Sequence, residues 1–157
     1  VDGDACPVRD EVFRVASRHG LAVTVVSNGS RGVRLPDWVR RVIVAEGADA
    51  ADDWIAEAVR PNDVCVTADI PLASRCLAAG GLAIAPGGKV WDTDNIGGAL
   101  AGREVSRHLR ETGQETRHAA FGAQNRSRFL EALELVVRTA MRGSPPPPRP
   151  LPDFFSD

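Results

Sequence analysis

Val64-Cys65-Val66-Thr67-Ala68-Asp69-Ile70-Pro71-Leu72-Ala73 is the stretch on which the fold turns. Its first half is a short apolar run with β-branched residues, as expected of a strand buried on both faces. Its second half changes period: Pro71 suits a first helical turn, and Leu72, Ala73, Cys76 and Leu77 recur as an inward helical face. Asp69 stands at the junction. A strand that passes directly into a helix is the unit of a parallel sheet covered by helices, and in such sheets ligands collect at the carboxyl ends of the strands.

The alternation continues on both sides of this stretch. Upstream, Pro7 to His19 reads as a helix with an apolar stripe of Val8, Val12, Phe13, Val15 and Ala16, stopped by Gly20. Leu21 to Val26 reads as a buried strand, residues 28–37 as a loop, and Val42-Ile43-Val44 as a second short strand. Asp49 is placed to cap a helix running to about Arg60, and Pro61-Asn62-Asp63 to form a turn. Downstream, Gly80-Gly81 ends a helix and Leu82 to Ala85 form a strand. Lys89 to Trp91 are extended, and helices are expected over about 95–112 and 123–142. The fold class expected is α/β, a three-layer α/β/α arrangement around a mostly parallel sheet. It occupies a single domain, residues 1–142, followed by a disordered or polyproline tail over the Pro-rich residues 143–157.

The 157 residues suit one domain with a substantial core, and 43% hydrophobic with 25% charged residues is ordinary for a globular chain. No run of about 18 uncharged apolar residues occurs, so no membrane span is expected. Val1 rather than Met opens the chain inside what reads as the end of a strand, so residues are expected ahead of it and a signal peptide cannot be read. Three cysteines with no zinc spacing, two of them at buried positions, point to a reducing cytoplasmic compartment. The net charge of −2 is unevenly spread: residues 1–100 hold 10 basic and 14 acidic side chains, whereas residues 101–142 hold 8 Arg and 5 Glu. An acidic centre with a basic flank suits a phosphate-rich partner, and an Arg-rich solvated helix would give the same balance.

The acids carry the chemistry. Asp2 and Asp4 flank Gly3 after the first strand and share one face if the backbone is extended; Asp69 follows another strand. Asp49, Asp53, Glu57 and Arg60 form a charged helical stripe, while Asp52 lines up with Ile55, Ala56 and Val59 and so faces inward. An inward carboxylate is costly unless it is paired, hydrogen-bonded or bound to a cation. Each acid also has a plainer reading as a helix cap or a solvated strand end. Together they form a candidate site for Mg²⁺ or Mn²⁺, since hard oxygen donors with no His or Cys do not favour zinc. Asp92-Thr93-Asp94-Asn95 begins like a calcium loop, but Arg103 stands where a bidentate Glu is required, so an EF-hand is excluded. Asp94 is a further candidate ligand, and Asn95 a candidate helix cap. His19, His108 and His118 show neither metal spacing nor a nucleophile partner. Arg103, Arg107 and Arg110 fall on one helical face and are candidates for binding substrate phosphates.

Val1-Asp2-Gly3-Asp4-Ala5-Cys6-Pro7-Val8, Ala50-Ala51-Asp52-Asp53-Trp54-Ile55-Ala56, Val66-Thr67-Ala68-Asp69-Ile70-Pro71-Leu72-Ala73 and Asp94-Asn95-Ile96-Gly97 closely resemble the uncharacterised bacterial YaiI/YqxD family. The resemblance runs in order from residue 1 to about 141, with Gly3 where most members have Ala. That family is grouped with PIN-like domains, a nuclease superfamily of three-layer α/β/α fold. The resemblance implies that Asp2 is the acid after the first strand, that Asp52-Asp53 hold the place of a helical acid, and that Asp69 is the acid of a Thr-x-Asp motif. Asp92 or Asp94 would be the last acid.

Three functions from different classes follow. One is a divalent-metal-dependent nuclease acting on nucleic acid, with RNA as the expected substrate, through Asp2, Asp52 and Asp69 with help from Asp4 or Asp94. Another is a haloacid-dehalogenase-like phosphatase with Asp2 as nucleophile. Its order of parts disagrees, because Lys89, the sole lysine, comes after Asp69. The last is a non-catalytic metal- or nucleic-acid-binding domain.

Overall fold

A computed structural model describes residues 1–3, 7–29, 34–45, 49–101 and 122–142. Helix α1 (Arg9–His19) leads into β1 (Val23–Ser27) and β2 (Val39–Ile43), followed by α2 (Ala50–Ala58), β3 (Val64–Val66), α3 (Ile70–Ala78) and β4 (Leu82–Ile84). The chain continues through β5 (Val90–Trp91) and a helical segment α4 (residues 96–101) to α5 (Ala123–Met141).

β1 and β2 are parallel, as are β3 and β4, and β5 is antiparallel to β4. Residues 1–2 join the two groups. Val26 N–H donates to Val1 C=O and Asp2 N–H donates to Val66 C=O, each at 3.0 Å, and Asp2 bridges Val26 in parallel. The order across the molecule is therefore β2, β1, residues 1–2, β3, β4, β5, with Asp2 at the centre.

Strand side chains alternate between faces, and this alternation assigns the layers. Val23, Val25, Val39, Val66 and Ile84 pack with α1 and α5 around the fully buried Phe129. Val26 and Cys65 pack on the opposite face with Ala51 and Ile55 of α2 and Leu72 and Cys76 of α3. The result is the α/β fold expected, with helices on both faces. Cys65 and Cys76 are buried free thiols, and the hydrogen bond to Cys76, with burial, pushes the Cys65 thiol up.

Several local readings hold. Gly20 ends α1 in the left-handed region at φ 69°, and Asn62 adopts φ 71° in the Pro61-Asn62-Asp63 turn, a conformation Asn tolerates better than most residues. Others need correction. β2 runs Val39–Ile43 rather than 42–44: Arg40 and Arg41 break the apolar pattern, yet among the described residues no strand pairs with the outer side of β2, so charged side chains there reach solvent. α2 ends at Ala58, and Asp49 occupies its N-cap position without a side-chain capping bond. The extended piece at Lys89 becomes an antiparallel strand. The proposed tail over residues 143–157 and most of the helix expected over 95–112 lie outside the described residues. No helix among the described residues is long and apolar enough to cross a membrane.

One polar network ties α1 to α5. Glu134 accepts from His19 Nε2 at 2.8 Å, from Arg18, and from Arg138 Nε at 2.9 Å. The His19 bond, followed by that from Arg18, lowers the Glu134 carboxyl from its ordinary 4.5 to about 2. A carboxyl whose folded pKa is depressed contributes stability that is present above the unfolded value and lost as pH falls through the folded one. Glu134→Gln is expected to lower stability at neutral pH and to flatten the loss between pH 4.5 and about 2 seen in wild-type urea midpoints. Parallel acid limbs in the two proteins would refute this.

Candidate functional site

Three separate segments deliver acids to the carboxyl end of the central strands. Asp2 is hydrogen-bonded by its backbone to Val66, the last residue of β3. Thr67 to Asp69 continue from that strand, and Asp52 lies in the first turn of α2. Thr67 links the first two segments. Its side chain is buried, its Oγ1 donates to Asp2 Oδ2 at 3.0 Å, and the same oxygen accepts from Asp69 N–H at 3.0 Å. One hydroxyl thereby fixes both strand-end acids.

Asp69 is the N-cap of α3. It has extended backbone, its Oδ1 accepts from Leu72 N–H at 2.8 Å, and Pro71 sits in the first turn where a missing N–H is harmless. The capping and acid-cluster readings of Asp69 are thus compatible. Asp52 is half-buried, as the helical spacing predicts. Burial, then the charges of Asp69 and Asp2, then those of Asp49 and Asp53, raise its carboxyl from 3.8 to about 6. Asp53 is exposed and accepts from Arg75 Nη1 at 2.8 Å, in keeping with its surface reading.

Asp94 is exposed and is not among the charges acting on Asp52. The antiparallel β5 carries the chain away from the strand ends that hold Asp2 and Asp69. Asp92 Oδ1 accepts from Asp94 N–H at 2.9 Å and Asn95 N–H at 2.8 Å, while Asn95 Oδ1 accepts from Asp92 N–H at 2.9 Å. That reciprocal box opens the helical turn at 96–101, so Asp92 is the cap and Asn95 completes it. Asp4, Arg103, Arg107 and Arg110 lie outside the described residues.

Two features escaped the sequence reading of individual residues. Thr67 reads as a strand residue, although its place two before Asp69 is the spacing of a Ser/Thr turn. Arg9, in the first turn of α1, directs Nη1 at Gly3 C=O over a long 3.5 Å, one residue beyond Asp2 in the chain. A Cβ on Gly3 would stand 2.6 Å from Val25 Cγ1 and 3.2 Å from Val26 C=O, so Ala at this position requires Val25 to pack differently. Two cavities of about 370 and 540 Å³ lie beside Val1, Thr24 and Val64, the larger also lined by Val26, Arg40, Trp54 and Ile55, and neither is lined by Asp2, Asp52 or Asp69.

The donor set is wholly oxygen, and burial together with the charges of its neighbours raises one of its members, which suits a hard divalent cation. Among the described residues, no three His, Cys, Asp or Glu side chains stand grouped for direct coordination of one ion. Mg²⁺ generally keeps several waters and takes one or two carboxylates, so these residues fit a hydrated ion rather than a dry cage.

An α/β protein with carboxylates gathered at the carboxyl ends of parallel strands is the class that the fold and site define. The chain belongs to the uncharacterised YaiI/YqxD family, whose sequence model matches residues 1–139. It is 51% identical over 146 residues to a UPF0178 protein of Caulobacter vibrioides, covering 92% of this chain and 95% of the relative. It is 54% identical over 144 residues to a UPF0178 protein of Rhizobium meliloti, covering 90% and 98%. A UPF0178 protein of Agrobacterium fabrum is 54% identical over 140 residues, covering 88% and 91%. No solved structure matches the chain significantly.

Proposed function

We propose that this chain is a divalent-metal-dependent nuclease that hydrolyses phosphodiesters, with RNA as its substrate. The observation that carries the reading is the Thr67 hydroxyl, which donates to Asp2 Oδ2 and accepts from Asp69 N–H, each at 3.0 Å, so that two acids from distant segments are held at one strand end; burial and then the charges of Asp69 and Asp2 raise the nearby Asp52 carboxyl. A fold that needed these residues only for stability would gain by separating them. Asp2, Asp52 and Asp69, with Asp4 as a further candidate, would hold Mg²⁺ or Mn²⁺. Such an ion supplies charge neutralisation for the phosphodiester and makes water a better nucleophile at neutral pH.

The chain's own groups supply the positioning. Thr67 holds Asp2 Oδ2, and the Leu72 N–H holds Asp69 Oδ1, so two acids are oriented before substrate arrives. Arg9 offers a guanidinium to a substrate phosphate at the cost of only a long contact to Gly3. Arg103, Arg107 and Arg110 remain candidates for more distant phosphates.

Purified protein is expected to cleave single-stranded RNA with Mn²⁺ and to stop with EDTA, and Asp69→Asn to lose turnover while keeping its cap, since Asn also caps helices. Equal cleavage by Asp69→Asn removes this mechanism. A second reading is a non-catalytic metal- or nucleic-acid-binding domain. It predicts thermal stabilisation by Mn²⁺ with no turnover of any nucleic acid.

A further inference from the structure

Among the described residues β2 lies at one edge of the sheet, and its side chains divide between cations and aromatic neighbours. Arg34, Arg40 and Arg41 are exposed. The Arg40 guanidinium lies over the Trp54 ring at 5.8 Å from its centroid. Stacking uses the flat face of the guanidinium and leaves its N–H edge for a phosphate. Trp38 is 46% exposed yet held edge-to-face against Phe13 of α1, with ring centroids 5.9 Å apart. It presents an aromatic surface that has already lost much of its freedom. Ile43, 60% exposed, ends the strip.

Register ties this strip to the acids. Val42 pairs with Val26, and Val26 bridges Asp2, so the upper end of β2 lies in the same row as Asp2. The separation is two strand spacings, about 10 Å. From Trp38 to Ile43 the strip runs about 17 Å at the usual rise of a strand. On the other side, Trp54 lies two residues beyond Asp52 on α2.

We infer that the β2 edge, with Trp38, Arg41 and Ile43 on its α1 side and Arg40 on its α2 side, is a track for single-stranded nucleic acid that leads its backbone toward the acids. This rests on the nuclease reading for its destination, but not for binding itself. Exposed aromatic rings accept unstacked bases of any sequence, and arginines beside them accept the intervening phosphates. Pairing of β2 with a second copy is the competing occupant of an open edge. It would bring Arg40 and Arg41 against the same residues of the partner, and like charges across a strand pair are unfavourable.

The test is fluorescence anisotropy of a labelled oligouridylate with the full chain in EDTA, so that binding is measured without cleavage. Wild type is expected to bind with strong salt dependence. The Arg40→Gln/Arg41→Gln variant should bind at least tenfold more weakly, with a salt slope smaller by about 1.4. Trp38→Ala should lose about five- to a hundredfold, and Trp38→Phe much less. Lys89→Gln, which alters a cation on Trp91 at the opposite edge, should bind as wild type does. Thermal melts of every variant establish that folding is retained.

Undiminished binding by folded Arg and Trp38 variants overturns the track. So does equal affinity for duplex RNA, or equal competition by polyglutamate, because either would show recognition of charge alone. Binding through the strip without Mn²⁺-dependent cleavage would uphold the track and refute the nuclease reading. Cleavage by the acids with unaltered binding in the strip variants would do the reverse.

Discussion

Thr67→Val is expected to destabilise the protein by about 1–3 kcal/mol and to lower metal affinity or turnover by roughly 10- to 100-fold. The side chain is nearly isosteric, so packing around this buried position is preserved. What disappears is a hydroxyl that donates to Asp2 Oδ2 and accepts from Asp69 N–H. Leaving both partners without that group costs more than the bonds themselves are worth, because each must find water in a partly enclosed place. Thr67→Ser restores the hydroxyl and should recover most of both losses. Urea denaturation and isothermal titration with Mn²⁺ measure the two effects. A Val variant with wild-type stability and Mn²⁺ response would show that the acids do not depend on Thr67.

Asp52→Asn should act in the opposite direction on stability. In the wild type, burial and then the charges of Asp69 and Asp2 push this carboxyl up from its ordinary 3.8 to about 6. Between those values the folded state binds more protons than the unfolded state, so stability falls as pH rises from about 4 to about 6 and stays lower above that. Because the group is half-exposed, screening reduces the penalty to roughly 1 kcal/mol. Removing the charge removes the penalty: in EDTA at pH 7 the Asn variant should be the more stable protein, and its stability should not decline through that window. Mn²⁺ should raise the melting temperature of wild type and do much less for the variant. Urea midpoints at pH 4, 5 and 7, with and without Mn²⁺, check this. A variant less stable than wild type at pH 7 would mean that Asp52 supports the fold through a partner rather than straining it. Gained stability with lost metal response is the pattern of a residue retained for chemistry.

Much of this site is written locally. The Asp69-Ile70-Pro71 junction needs only the preferences of a strand end and a first helical turn, and Asp69 is the cap of α3. The inward placement of Asp52 and outward placement of Asp53 follow from helical spacing, since the two differ by 100° around α2. Other features depend on partners that spacing cannot name. Asp92 and Asp94 look alike in sequence, but the reversal at β5 and the reciprocal bonds with Asn95 make Asp92 a cap and leave Asp94 exposed. Arg40 and Arg41 hide the true extent of β2, because an edge strand need not be apolar.

By itself the chain of residues determined the α/β alternation, the buried faces, the capped helix after β3 and the acids worth testing. These arise from periods of two and 3.6 and from backbone preferences that act over a few neighbours. Only the tertiary structure decided that Asp2 lies between β1 and β3, that the Thr67 hydroxyl links it to Asp69, and that Arg40 rests on Trp54. Those contacts depend on strand order and register, in which residues far apart in sequence become neighbours through hydrogen bonds that no local pattern encodes.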